Sequence, residues 1–187
     1  MKKLNKNFFS RDTKKVAEDL IGSLLVRNVN DIVLKGMIVE TEAYYGEDDP
    51  ASHASNGKTD RNEIMYEEAG YFYVYLCYGL YYLLNVVTEE KGVPGAVLIR
   101  SVKPVKGIEK LKKNRGRDED ITNGPGKLTE AFEVDKSFNG VDVSGDTLYF
   151  EGEEVNYDIG KSSRVGIKEG KDRLLRFYLK DSSYIST

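Results

Sequence analysis

The sequence predicts an α+β fold: a single domain over residues 1–187, with a mostly antiparallel, curved β-sheet flanked by helices and an inserted β-hairpin. Three observations predict it. Strand-like segments outnumber helical ones and do not alternate with them regularly, which disfavours parallel strand–helix–strand units. The stretch 71–87 is aromatic and aliphatic on both sides of Gly79, as a strand–turn–strand would be. The chain has 187 residues, 40% hydrophobic and 32% charged, which suits one domain with a real core.

The elements follow in order. Ser10 is placed to cap a helix whose apolar residues Val16, Leu20 and Ile21 recur at helical spacing, and Gly22 can close it. Residues 23–26 read as a short strand, 28–31 as a turn, and 32–45 as a long second strand. The stretch 46–62 is polar and rich in turn formers, Pro50, Asn56 and Gly57 among them. It is too long to be an idle connection in a compact domain, and loops of this kind often carry function. The hairpin 71–87 comes next, with its turn type left open by the scarcity of Asp, Asn and Gly. A turn over 91–95 leads to a strand over 96–102. Helices are expected over 107–113, with Ile108 and Leu111 on one face, and over 127–132, opened by the loop Asn123-Gly124-Pro125-Gly126. That loop is a simple helix entry or a backbone cradle for a phosphate. Strands over 147–150 and 174–179 complete the chain.

Composition narrows the function classes. No apolar run approaches the roughly 20 residues of a membrane helix, so no membrane partner is expected. The basic stretch 1–6 is not followed by the apolar core of a signal peptide, so no leader is expected. Cys77 is the only cysteine, which excludes an internal disulfide and points to a reducing, cytoplasmic setting. It sits in an aromatic–aliphatic run where burial is expected, which argues against a nucleophile pair with His53. The formal net charge of −3 argues mildly against nucleic acid. Its distribution argues the other way. Residues 100–117 carry eight basic side chains and one acid, 161–180 carry seven against two, and 40–49 carry five acids and no base. A basic surface beside an acidic pocket is one reading, and solvated helix faces are the other.

The chemistry concentrates on an acidic strand and the aromatic hairpin. Strand alternation places Ile38, Glu40, Glu42 and Tyr44 on one face, with the two carboxylates roughly 6.5–7 Å apart at the backbone. They either diverge into water or bend towards a common site. Carboxylates near that spacing serve glycosidic bond hydrolysis, where one activates water. Tyr66, Tyr71, Tyr73, Tyr75, Tyr78, Tyr81 and Tyr82 crowd the hairpin region. A core favours Phe, Ile or Leu, which have no hydroxyl to satisfy, whereas tyrosines near carboxylates suit stacking on flat heteroaromatics. Tyr78 at a hairpin tip either folds back onto the sheet or wedges between bases. His53, the only histidine, lies in a polar loop where it can stack, donate a hydrogen bond or titrate. A lone histidine without a cysteine or histidine cluster is not a metal site.

Taken together, these pieces match a known pattern. They are Val39-Glu40-Thr41-Glu42-Ala43-Tyr44, His53, Arg61-Asn62, Tyr73-Val74-Tyr75-Leu76-Cys77-Tyr78-Gly79, Asn85 and Val97-Leu98-Ile99-Arg100. They continue with Gly124-Pro125-Gly126-Lys127-Leu128, Ser163-Arg164-Val165-Gly166-Ile167 and Leu175-Arg176-Phe177-Tyr178. In this order, over nearly the whole chain, they resemble the alkyladenine (3-methyladenine) DNA glycosylases of the mammalian type, which also occur in bacteria. The resemblance implies a monofunctional enzyme of base excision repair without lyase activity. It would flip alkylated or deaminated purines (3-methyladenine, 7-methylguanine, hypoxanthine, ethenoadenine) out of the duplex. It implies no metal, no cofactor and no covalent enzyme intermediate. The implied partner is double-stranded DNA containing damaged purines, bound by a monomer in the cytoplasm at the nucleoid, with the hairpin at the DNA-binding face.

Residue by residue, the resemblance implies Glu42 as the general base that activates water, with Arg100 holding that water. It implies Tyr44, His53 and Tyr75 as the base-stacking slot, Asn85 at the pocket floor excluding the guanine amine, and Tyr78 as the wedge in the duplex. Glu40 matches the motif and is expected to support local hydrogen bonding. Leu80 stands where the family has a methionine beside the wedge, and 115–122 departs most from the pattern. The alternatives left by the residues alone are a non-catalytic nucleic-acid-binding module and a nucleoside hydrolase.

Overall fold

The longest strand, β3, organises the sheet. In the computed structural model, which describes residues 1–153 and 156–186, a nine-stranded sheet forms around it with every pairing antiparallel. The strands are β1 (Lys2–Lys3), β2 (Leu24–Val29), β3 (Ile32–Tyr44), β4 (Phe72–Cys77), β5 (Tyr81–Val87), β6 (Ala96–Lys106), β7 (Leu148–Gly152), β8 (Ile159–Ser162) and β9 (Arg176–Leu179). The order is β1-β7-β2-β3-β6-β5-β4, with β9 on β3 and β8 on β9. One edge of β3 is shared: β2 pairs with its first half and β9 with residues 40–42. The other edge belongs to β6.

Being paired on both edges and covered on both faces, β3 is buried without interruption from Ile38 to Ala43. Thr41 Oγ1 donates to the Ala17 carbonyl of helix α2 (Thr13–Asp19) on one face. Glu40 and Glu42 point to the other, as strand alternation predicts. The β3–β6 register shifts on either side of Glu40, an irregularity of the kind that bends a strand and re-aims side chains. The main core lies between sheet and helices and includes Phe9, Leu20, Leu25, Phe72, Phe132 and Phe177.

The hairpin β4–β5 forms the sheet's outer edge. Only its base, Asn85–Val87, pairs with β6, so the tip stands free of the sheet. Its turn is now defined. Tyr78 and Gly79 both have positive φ (51° and 70°), and the Leu80 N–H donates to the Cys77 carbonyl. That is the two-residue type I′ turn, whose twist suits a hairpin.

Several boundaries differ from the sequence expectation. Asp12, not Ser10, caps α2, accepting from the Lys15 N–H at 2.9 Å. Ser10 is already engaged, closing the short helix α1 (Lys6–Phe9) by donating its N–H to the Lys6 carbonyl. Helix α2 ends at Asp19, with Leu20 as its C-cap, before Gly22. β6 runs four residues beyond Val102, to Lys106, because β3 offers a partner along its whole length. Helices α3 (Ile108–Arg115) and α4 (Pro125–Ala131) lie within two residues of expectation. Strand β8, too short and polar to announce itself, is held by its pairing with β9.

Candidate active site

One cavity of about 400 Å³ opens beside the free hairpin, within the range of small-molecule sites. Tyr44, His53, Tyr75, Asn85, Arg100 and Tyr78 all line it. These come from the end of β3, the 46–62 loop, both hairpin strands and β6, so the sheet order brings together residues up to 56 positions apart in sequence. Cys77, expected in the core, is only half-buried and lines the same cavity, because it is the last residue of β4 before the turn.

Glu42 stands immediately behind the wall rather than in it. Its side chain is wholly buried, and each of its bonds goes to a residue that lines the cavity. The Tyr44 hydroxyl donates to Oε2 at 2.8 Å, Arg100 Nη1 donates to the same oxygen at 3.3 Å, and the Val165 N–H donates to Oε1 at 2.7 Å. Burial, the Glu42 charge and the hydrogen bond to it raise the Tyr44 hydroxyl far above the usual phenol range, so it remains a donor.

Glu40 converges on the same arginine. Wholly buried, it accepts from Arg100 Nε (2.9 Å), Arg176 Nε (2.7 Å), the Ser186 N–H (2.7 Å) and Ser186 Oγ (2.8 Å). Arg100 is thus fixed by Glu40 on one side and presented to Glu42 on the other. Burial alone would lower the Arg100 pKa, but the Glu42 and Glu40 charges raise it. The two carboxylates do bend towards a common site, and that site is a guanidinium, which lets both stay buried.

The loop over 46–62 is held by Asn62, which is 1% exposed. Its Nδ2 donates to the carbonyls of His53 (2.8 Å) and Gly57 (2.9 Å), and its Oδ1 accepts from the Thr59 N–H (2.7 Å). His53 Nδ1 lies 2.8 Å from the Tyr73 hydroxyl, and the ring meets Tyr75 edge-on, with centroids 4.5 Å apart at 70°. Desolvation and the nearby Arg61 charge pull the imidazole down to about 4, so it is neutral at neutral pH. Burial pushes the Tyr73 hydroxyl up to about 12. Asn85 donates Nδ2 to the Tyr73 carbonyl at 3.0 Å, which fixes its amide in the cavity lining. Asn62 and Tyr73 were not singled out for a role by the sequence. Asn62 is a polar residue in a polar loop, and only its contacts reveal what it ties together.

At the mouth, Tyr78 is 90% exposed and Leu80 73%, with Leu76 and Tyr81 also exposed. The tip is therefore a projecting apolar point, and Tyr78 does not fold back onto the sheet. The two basic runs are partly consumed internally. Arg100, Arg164 and Arg176 sit in buried or half-buried pairs, Lys110 binds Glu133 just after α4, Arg115 binds Glu130 on α4, and Lys161 binds Glu18. The helix entry at Asn123–Lys127 is a side-chain lock, with Lys127 donating to Asn123 Oδ1 at 3.1 Å and α4 packed on β5. Among the described residues, no helix is long and apolar enough to cross a membrane.

The chain is similar to known proteins along its whole length. The family described as methylpurine-DNA glycosylase matches residues 7–183. Relatives carrying the name "Putative 3-methyladenine DNA glycosylase" include one from Clostridium novyi (strain NT), 48% identical over 100% of this chain and 99% of its own. Another, from Chlorobium phaeobacteroides (strain BS1), is 47% identical over 100% of this chain and 96% of its own. A third, from Carboxydothermus hydrogenoformans, is 46% identical over 98% of each.

Proposed function

This chain belongs to the methylpurine-DNA glycosylase family and is a DNA N-glycosylase of repair, and from that premise we propose that it everts damaged purines from duplex DNA and hydrolyses them off with a water activated by Glu42. The observation that carries this reading is the junction of Glu42 with Tyr44, Arg100 and Val165, three residues of one cavity wall. Glu42 Oε1 accepts one hydrogen bond and keeps a free lone pair. A water entering beside Arg100 donates to that oxygen and is oriented at the sugar of a nucleotide in the cavity.

The C1′–N bond breaks with its electron pair leaving on the purine. The water oxygen bonds C1′, and its proton passes to the Glu42 carboxylate. The same carboxylate stabilises the positive charge that develops on the sugar, and it is already oriented by three donors. Tyr44, His53 and Tyr75 hold the base, and rings of this kind favour cationic alkylpurines. The Asn85 amide, fixed to the Tyr73 carbonyl, excludes the exocyclic amine of normal guanine. The exposed Tyr78 fills the gap left in the duplex. Alkylated and deaminated purines are the substrates, and the enzyme acts as a monomer.

Glu42→Gln tests the chemistry. The variant should bind duplexes containing hypoxanthine or 1,N6-ethenoadenine and release no base in single-turnover assays. Near-normal release would remove Glu42 from the mechanism. The projecting tip favours duplex DNA over a free nucleoside. Cleavage of free inosine at a rate matching that of the duplex lesion would overturn that preference.

A further inference from the structure

Arg164 and Asp49 form an ion pair that the chemistry above does not use. Both side chains are wholly buried. Arg164 Nη1 and Nη2 donate to Asp49 Oδ2 and Oδ1 at 2.5 and 2.7 Å, and Nη1 also donates to the Ala43 carbonyl at 3.0 Å. Asp49 further accepts from the N–H groups of Tyr45 (3.1 Å) and Ala51 (3.2 Å). The guanidinium lies 4.6 Å from the centroid of the Tyr44 ring. Tyr44 lines the cavity and Arg164 does not. An aromatic plate therefore separates a buried cation from the place where the base would stack.

We propose that Asp49 is a specificity-determining residue: by cancelling the Arg164 charge behind the Tyr44 plate, it lets the cavity accept positively charged purines as well as neutral ones. The inference rests on the glycosylase reading, with the base stacked on Tyr44. Arg164 is needed for shape. Its planar fork reaches Asp49, the Ala43 carbonyl and the Tyr44 ring at once, and its neighbour Val165 donates to Glu42. Its charge, left alone, would oppose a cationic base. A base in contact with the far face of Tyr44 sits about 8 Å from the guanidinium. At an effective dielectric of about 20, two unit charges at that distance repel enough to change a rate ratio roughly thirtyfold.

The test compares single-turnover excision of cationic 7-methylguanine and neutral hypoxanthine from matched duplexes at sub-saturating enzyme, where the rate includes binding and eversion of the base, with folding checked by circular dichroism. Asp49→Asn should lower the ratio of the 7-methylguanine rate to the hypoxanthine rate by roughly tenfold to thirtyfold. Arg164→Gln leaves the Asp49 charge held by two backbone N–H groups and should raise that ratio. The double variant, neutral and close in shape, should return it to within about threefold of wild type, even if the absolute rates fall. A merely structural role would slow both lesions together and leave the ratio unmoved. Should Asp49→Asn fail to fold, the opposite shift in Arg164→Gln decides. A ratio unmoved in the folded single variants, or displaced in the double variant, overturns the inference. Wild-type protein that releases neither base overturns the glycosylase mechanism instead, so the two failures are distinct.

Discussion

Replacing Glu40 with Gln should damage the protein more through stability than through chemistry, the reverse of what is expected at Glu42. Glu40 is wholly buried and accepts four hydrogen bonds, two of them from arginines. A glutamine has one carbonyl oxygen, so its NH2 must face an N–H or O–H that needs an acceptor. The loss is twofold: a buried charge that matched Arg100 and Arg176, and at least one donor left without a partner. Breaking a buried pair of this kind costs about 3–5 kcal/mol, which for a chain of this size is a fall in Tm of roughly 6–20 °C. Arg100 keeps its bonds to Glu42 and to Ser186 Oγ, so excision should persist, slowed by about tenfold to a hundredfold as the guanidinium loses its other charged anchor. Glu42→Gln, by contrast, should lose only about 1–3 kcal/mol, because Arg100 retains Glu40, while its excision is abolished. Differential scanning fluorimetry and single-turnover excision on both variants read the two effects separately. A Glu40→Gln protein with a Tm within about 2 °C of wild type, less than the shift expected from 1 kcal/mol, would refute the four-bond account.

Other expectations follow from the same geometry. Tyr78→Ala should weaken binding to lesion-containing duplex by about 1–3 kcal/mol without lowering Tm, since the ring is 90% exposed; an unchanged Kd by fluorescence anisotropy would remove the wedge. Asn62→Ala loses three buried hydrogen bonds around His53 and should raise KM more than it lowers kcat, at a stability cost of about 2–4 kcal/mol; a kcat effect alone would contradict a positioning role. Arg164 holds the Asp49 carboxyl below its ordinary range despite burial, which alone would raise it. That pair therefore contributes stability fully above the unfolded carboxyl pKa near 3.8 and loses it as pH falls through the lower folded value. Asp49→Asn should flatten the acid limb of a Tm–pH profile, and an unchanged limb would count against the pair. His53, held at about 4, should add no inflection near pH 6.5 to the excision profile; an inflection there that disappears in His53→Gln would show the imidazole titrating near its ordinary value.

Local rules carried the sequence a long way and failed where contacts are distant. The long strand was legible because apolar alternation and flanking turns are local signals, and the joint placement of Glu40 and Glu42 on one face followed from it. That the two meet at Arg100 was not legible from the pattern, because the partner arrives from β6, 58 residues beyond Glu42, through sheet register. The hairpin turn was obscure for a different reason. A tyrosine at positive φ breaks the propensity rule that would have announced a type I′ turn, and such violations gather at functional positions. The cap of α2 was misplaced by two residues because Ser10 and Asp12 are equally good caps, and only the preceding helix decides between them.

The burial of Glu42 behind the wall has a consequence for how this site deals with charge. Three buried acids, Glu40, Glu42 and Asp49, are matched by three arginines, Arg100, Arg164 and Arg176. His53 adds no charge at neutral pH, and Arg61 adds a positive one at the lining. The resting cavity therefore carries no excess of negative charge, and in the proposed function its attraction for an alkylated purine would come from the faces of tyrosine rings. As the glycosidic bond breaks, positive charge leaves the base and collects on the sugar. In the proposed mechanism the Glu42 carboxylate, fixed by Tyr44, Arg100 and Val165, would meet that charge only as it forms. Such an arrangement favours the transition state over the bound lesion, which is the condition for raising kcat and not only affinity.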